Sequence, residues 1–148
     1  TRLRAIGLTQ LQAITLASIV EKESNKNDEK PDIAGVYMNR YKQGWLLQAD
    51  PTLVYAMGDF TIKRVLNAYK NIDSPYNTYK YAGLPPGPIC LPSISSIDAV
   101  LNYRQHNYMY FCAREDFSGY HNFAVTMNEH LVNAARYQQA LDKQGIMK

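Results

Sequence analysis

Cysteine is scarce in this chain of 148 residues: Cys90 and Cys112 stand alone, 22 positions apart. No CxxC pair or Cys/His cluster accompanies them, which excludes a zinc site of the usual spacing. The three histidines, His106, His121 and His130, are scattered, and there is no HExxH. The chain also lacks GxSxG, GxxxxGK[ST] and GxGxxG, so an elbow-borne serine nucleophile, a phosphate loop and a dinucleotide fold have no support. Charge of one sign is not in excess, with 16 basic against 13 acidic residues and a net +3. No basic run interleaved with aromatics exists, and nucleic acid is not an expected partner. No run of about 18 apolar residues is present, and no signal peptide is visible. The chain opens at Thr1 in mid-pattern, which reads as a piece of a longer protein.

What remains is an ordinary globular balance, 46% hydrophobic and 20% charged, in a length that suits one domain with one core. Tyrosine is abundant, at 12 residues. Its flat apolar body and polar tip suit stacking on sugars, and they equally suit a half-buried core. Cys90 and Cys112 are open to two readings, a disulfide in an oxidising compartment or two separate thiols.

Helical spacing runs through residues 8–24, where Leu8, Leu11, Ala13, Ile14, Leu16, Ala17, Ile19 and Val20 make the segment apolar on most faces. Such a helix is a buried one. Residues 31–43 predict a second helix, with Pro31 in its first turn and Gly44 beyond its end. A third is expected over Pro51–Met57 with Asp50 as its N-cap, and a short one over Thr61–Tyr69. Residues 45–50 read as an extended piece. Four of the seven prolines (Pro85, Pro86, Pro88 and Pro92) fall within ten residues, so 73–92 is expected to be a rigid loop. A helix over 94–102, a strand from Tyr108 to Ala113, a returning strand at Tyr120–Phe123 and a last helix over 126–144 complete the reading. Thr126 and Glu129 match a capping box. The fold class is α+β, mostly helical with a small hairpin.

The apolar helix ends on a carboxylate. Glu23 follows Val20, Ile19 and Leu16 by three, four and seven residues and shares their face. A carboxyl group against apolar surface keeps its proton to higher pH and can serve as a general acid. A solvated helix end is the other reading of the same residue. Glu21, two positions away, cannot share that face, and is expected toward solvent or Lys22. Gln48, Asp50, Tyr76, Asn77 and Tyr79 are hydrogen-bonding and stacking types suited to a polysaccharide cleft, though turn chemistry accounts for them as well. His121, between aromatics, reads as structural or substrate-contacting rather than as a metal ligand.

Taken in order, LASIVEKES, VYMNR, LQADPTLVYAMG, YNTYKYAGLPPGPI, an aromatic strand and HNF resemble the YceG-like endolytic murein transglycosylases, from about Leu16 to Phe123. Pro88 and Cys90 depart from the family pattern. The resemblance implies a lysozyme-like catalytic domain spanning 1–148, with the family's N-terminal membrane helix and LysM-like domain outside this chain. It assigns the catalytic acid to Glu23 and adds Ser24. Glycan contacts are expected at Gln48, Asp50, Tyr76, Asn77 and Tyr79, and, in the matched motifs, at Asn39, Tyr55, Pro85, Pro86 and His121. The Gly83–Ile89 loop is expected to wall the cleft.

The reaction so implied is non-hydrolytic cleavage of the β-1,4 bond between N-acetylmuramic acid and N-acetylglucosamine in peptidoglycan. It leaves 1,6-anhydro ends and trims or terminates nascent strands. No cofactor or metal is implied. The expected partners are glycan strands and cell-wall synthesis proteins, on the extracytoplasmic face of the inner membrane. A muramidase-type hydrolase using Asp50 and a non-catalytic peptidoglycan-binding module are the alternative readings.

Overall fold

The computed structural model describes residues 2–58 and 67–145. In chain order the elements are α1 (Arg2–Ile6), α2 (Gln10–Glu23), α3 (Lys30–Lys42), α4 (Asp50–Met57), a 3-10 turn (Asn67–Asn71), α5 (Ile94–Leu101), β1 (Tyr110–Ala113), β2 (His121–Ala124) and α6 (Met127–Lys143). The α+β expectation holds, with six helices and one two-stranded antiparallel sheet among the described residues. No helix there is long and apolar enough to cross a membrane.

Helix α2 is the centre of the core. Leu16, Ala17, Ile19 and Val20 are sealed from water, and they pack with Ile33, Ala34, Tyr37 and Met38 of α3 and Val100 of α5. The helix starts later than its apolar pattern. Gly7, at φ 76°, ends the short α1, and Thr9 caps α2 by accepting from Gln12 N at 3.1 Å while Gln12 Oε1 accepts from Thr9 N at 2.9 Å. Such a cap is worth about 1 kcal/mol. Helix α3 follows the expected bounds to within a residue, with Gly44 in the left-handed region just past its end.

Gly35 sets how closely α3 meets the segment after α5. A β-carbon there would lie 2.5 Å from Arg104 O and 2.6 Å from His106 Nε2. Arg104 N donates to Pro31 O at 3.1 Å in the same seam, and Asn39 Nδ2 donates to His106 O and Tyr108 O, each at 2.9 Å. Two backbones approach this closely only across a residue with no side chain.

Helix α4 corrects one expectation. Its N-cap is Ala49, which makes no side-chain cap, and Asp50 is the first helical residue. The loop 73–92 contains no helix or strand and is tied to α4 instead: Ala49 N donates to Thr78 Oγ1 at 2.8 Å, and the Thr52 and Thr78 hydroxyls bond at 2.8 Å. Asn77 is fully buried and organises the loop, donating to Lys70 O and Ile72 O while its Oδ1 accepts from Tyr79 N. Residues 45–49 have no regular structure. Of the helix expected over Thr61–Tyr69, residues 61–66 lie outside the described residues, and the rest falls in the 3-10 turn.

The hairpin pairs Tyr110 with Ala124, Phe111 with Phe123, Cys112 with Asn122 and Ala113 with His121. Each strand lies within two residues of its expected place. Phe111 packs edge-on against Tyr37 at 5.6 Å between ring centres, which docks the sheet onto α3. Thr126 and Glu129 form the expected capping box of α6. Cys90 and Cys112 are separate thiols.

Candidate active site

A cleft of about 600 Å³ runs between α2, α3 and α4 on one side and the hairpin and α6 on the other. Its size is that of a small-ligand or oligosaccharide site. Among its lining residues are Glu23, Tyr37, Arg40, Gln48, Asp50, Tyr55, Tyr79, Phe111, His121, His130 and Tyr137.

Glu23 stands in the last turn of α2, where the helix emerges from the core into the cleft. The residue is half-buried there. Burial pushes its pKa up to about 8, and the nearby charge of Asp50 adds to the rise. The Tyr37 hydroxyl, which donates to Glu23 Oε2, opposes it by favouring the charged form. The net effect is a carboxylic acid that is still protonated at neutral pH. Tyr37 stays a neutral donor, because burial first, and the Glu23 carboxyl second, hold its hydroxyl well above the usual tyrosine range.

Asp50 repeats the arrangement. The Tyr79 hydroxyl donates to Asp50 Oδ1, and burial raises the Asp50 pKa against the opposing effects of that bond and of Lys70. Burial and the Asp50 charge also raise Tyr79. The cleft therefore holds two carboxyl groups, each met by a phenol. Between the α3 end and Asp50 lies Gln48, at φ 52°, a left-handed conformation unusual for a residue other than glycine. Its amide N donates to Thr78 O at 3.2 Å, and its Oε1 lies 3.5 Å from Arg40 Nη1. Backbone strain of this kind persists where surrounding contacts enforce it, often at functional sites.

Arg40 supplies positive charge from below. Its Nε donates to Met109 O at 2.7 Å and its Nη1 to Leu46 O at 3.0 Å, while the guanidinium lies over the rings of Trp45 and Tyr110. These bonds join α3 to the start of the hairpin. His121 enters from β2. Its Nδ1 is 2.5 Å from Glu29 Oε2, and its backbone N donates to Glu29 Oε1 at 3.0 Å. Ser24 Oγ donates to the same carboxylate at 2.9 Å. A buried carboxylate that meets one ring nitrogen of a histidine orients the ring and leaves the other nitrogen for the cleft. His130 stacks on Tyr110 at 5.0 Å, and burial first, then the Arg40 charge, lower its pKa from the usual histidine value. Among the described residues no group of three or more His, Cys, Asp and Glu is placed to hold a metal ion.

The sequence profile of the YceG-like family matches residues 1–136. This chain belongs to the YceG-like family. It is 43% identical over 117 residues to the endolytic murein transglycosylase of Bacillus subtilis (strain 168), covering 79% of this chain and 32% of that protein. The endolytic murein transglycosylase of Streptococcus pneumoniae serotype 2 is 34% identical over 139 residues, covering 91% of this chain and 25% of that protein. The chain thus spans about a quarter to a third of the length of these curated relatives. A 2.6 Å crystal structure of a yceG-like protein from Listeria monocytogenes superposes with a TM-score of 0.81 at 37% identity, over 88% of this chain and 42% of that one.

In this YceG-like chain the cleft gathers Glu23, Gln48, Asp50, Tyr55, Tyr79 and His121 from the residues singled out in the sequence. Tyr76 stands behind Tyr55, ring to ring at 4.8 Å. The others lie elsewhere. Ser24 is buried on Glu29, Asn39 ties α3 to the 106–108 backbone, and Asn77 is consumed by its own loop. Pro85 is buried, and Pro86 borders a separate hollow with Asp73 and Tyr81, so of the Gly83–Ile89 loop only Ile89 reaches the cleft. Glu21 does not face free solvent. Its Oε1 accepts from Ser93 N at 3.0 Å and from the Ser93 and Ser96 hydroxyls at 2.7 Å each, at the N-terminus of α5. Tyr37, Arg40, Tyr110, His130 and Tyr137 were not foreseen, since nothing in the spacing links those distant segments to Glu23. The one local signal was helical phase, which puts Tyr37 on the same α3 face as Ile33 and Arg40.

Proposed function

We propose that this chain is the catalytic part of a peptidoglycan lytic transglycosylase and that Glu23 is its acid and base. One observation carries the reading: Glu23 lines the cleft with a pKa raised to about 8, so it enters the reaction protonated. The names of the relatives, endolytic murein transglycosylases, support the substrate class.

Glu23 gives its proton to the glycosidic oxygen between N-acetylmuramic acid and N-acetylglucosamine as the C1–O bond breaks. The C6 hydroxyl of the muramoyl sugar attacks C1, and its proton passes to the Glu23 carboxylate, which returns to its starting state. A 1,6-anhydro ring is left and no water is consumed. Because the nucleophile belongs to the substrate, its attack is intramolecular and gains from proximity. A second carboxylate at the spacing of ordinary glycosidases is not needed. Gln48, Asp50 and His121 are polar partners for the sugar, and Tyr55, backed by Tyr76, offers a stacking face. A peptidoglycan substrate is in keeping with activity on the extracytoplasmic side of the membrane and with a role in trimming or terminating glycan strands.

Mass spectrometry of purified glycan strands after incubation with the wild-type chain and with Glu23→Gln tests the reading. Products one water lighter than hydrolysis products are expected from wild type. The variant should lose at least about 100-fold in rate, the usual worth of a general acid. Full-mass reducing ends would make the protein a hydrolase and turn attention to Asp50. Binding without cleavage by wild type would make it a peptidoglycan-binding module.

A further inference from the structure

We propose that Tyr37 is the positioning residue of the cleft acid: its hydroxyl occupies Glu23 Oε2 and so leaves Oε1 as the atom that gives up and takes back the proton. The inference rests on the assignment of Glu23 as the acid. It adds which oxygen reacts and which side chain decides it.

The geometry is that of a fixed donor. Tyr37 is almost fully buried in the body of α3, and its ring is wedged edge-on against Phe111 of β1. Its hydroxyl donates to Oε2 of Glu23, across 14 residues of sequence. A phenol held this way donates to the carboxyl group in either protonation state. In the neutral acid the oxygen that accepts the phenol proton is the carbonyl-like one, so the acid proton sits on Oε1. In the carboxylate the same bond stabilises charge on Oε2 and leaves the Oε1 lone pairs for the C6 hydroxyl proton. One bond thus serves both halves of the cycle without rotation of the carboxyl group.

The other groups around the acid do not duplicate this role. Asp50 on α4 repels a charged Glu23, and the Tyr79 hydroxyl is committed to Asp50. Arg40 on α3 is committed to backbone carbonyls and Gln48, and His121 on β2 to Glu29. Tyr110 on β1 and His130 and Tyr137 on α6 line the cleft, as does Lys22 on α2 itself. Glu23 has no hydrogen-bond donor other than Tyr37 among the described residues.

The test is a 13C NMR titration of the Glu23 carboxyl in the protein without substrate, comparing wild type, Tyr37→Phe and Tyr79→Phe. Tyr37→Phe keeps the ring against Phe111 and removes only the donor. Its Glu23 midpoint should rise by about one pH unit or more, the shift expected from losing a hydrogen bond to a charged group. Tyr79→Phe should not raise it, because Tyr79 acts on Asp50. A ring-fluorinated tyrosine placed at position 37 is a stronger donor and should move the midpoint down. In turnover, the alkaline limb of kcat/KM should follow the Tyr37→Phe midpoint upward, with kcat reduced several-fold and KM little changed. An unmoved or lowered midpoint in Tyr37→Phe, or an unmoved midpoint with the fluorinated residue, overturns the proposal. These titrations need no substrate, so their failure is separate from failure of the Glu23 assignment, which the glycan products decide.

Discussion

Glu21 and Glu23 stand two residues apart on one helix, yet one is held ionised to about pH 2 and the other protonated to about pH 8. The cause is what each meets. Glu21 accepts three hydrogen bonds at the N-terminus of α5, the Ser93 backbone bond weighing most, while Glu23 points into a cleft whose walls strip away water. Hydrogen-bond donors favour a carboxylate and desolvation disfavours it.

The Glu23 shift predicts a pH-dependent stability. Its pKa rises on folding from 4.5 to about 8, so the folded chain keeps a proton that the unfolded chain releases. The stability tied to that proton is complete below pH 4.5 and is lost as pH climbs through about 8. Glu23→Gln carries no such penalty. It should gain on wild type across that window, reaching on the order of a few kcal/mol at pH 9, at about 1.4 kcal/mol per pKa unit. Denaturant melts at pH 4 and pH 9 check this, and equal differences at the two values would refute it.

Glu21 predicts the opposite sign. Its pKa falls on folding from 4.5 to about 2, so its contribution is present above pH 4.5 and fades as pH drops toward 2. Glu21→Ala should destabilise at pH 7 and much less at pH 2. The carboxylate is partly open to water, which screens the gain, and about 1 kcal/mol is expected. Thermal melts of both proteins at the two pH values measure it.

Glu29 is the buried anchor of the hairpin. Truncation in Glu29→Ala leaves His121 Nδ1, His121 N and Ser24 Oγ without their acceptor. A loss of about 2–4 kcal/mol is expected, together with faster amide exchange in β2. Urea unfolding and hydrogen exchange at His121–Ala124 would show it.

Gly35→Ala forces a methyl group to within 2.5 Å of a backbone carbonyl, which cannot swing away as a side-chain tip can. Helix propensity alone favours alanine here. The clash should win, with a net loss of about 1–3 kcal/mol. A variant as stable as wild type would show that the 104–106 segment gives way freely.

Legibility in the sequence followed the range of the interactions. Helices α2, α3, α5 and α6 and both strands announced themselves through apolar spacing and through caps such as Thr126–Glu129, signals confined to a few neighbouring residues. Asp50 was legible as a helix start but not as Tyr79's partner, which lies 29 residues on. Asn77 and Ser24 read as sugar ligands because an amide or hydroxyl looks the same whether its partners are sugar or backbone. Their burial sends them to Lys70, Ile72 and Glu29 instead.

The sequence by itself determined the fold class, the family and the helix face on which Glu23 sits, because residue spacing along a helix or strand dictates which side chains share a side. The tertiary structure alone decided that Glu23 meets Tyr37 and Asp50, that Glu21 caps α5 and that Ser24 turns inward. Proton affinity depends on which surfaces desolvate a group and which donors reach it, and in this chain those surfaces and donors arrive from helices, loops and strands distant in sequence.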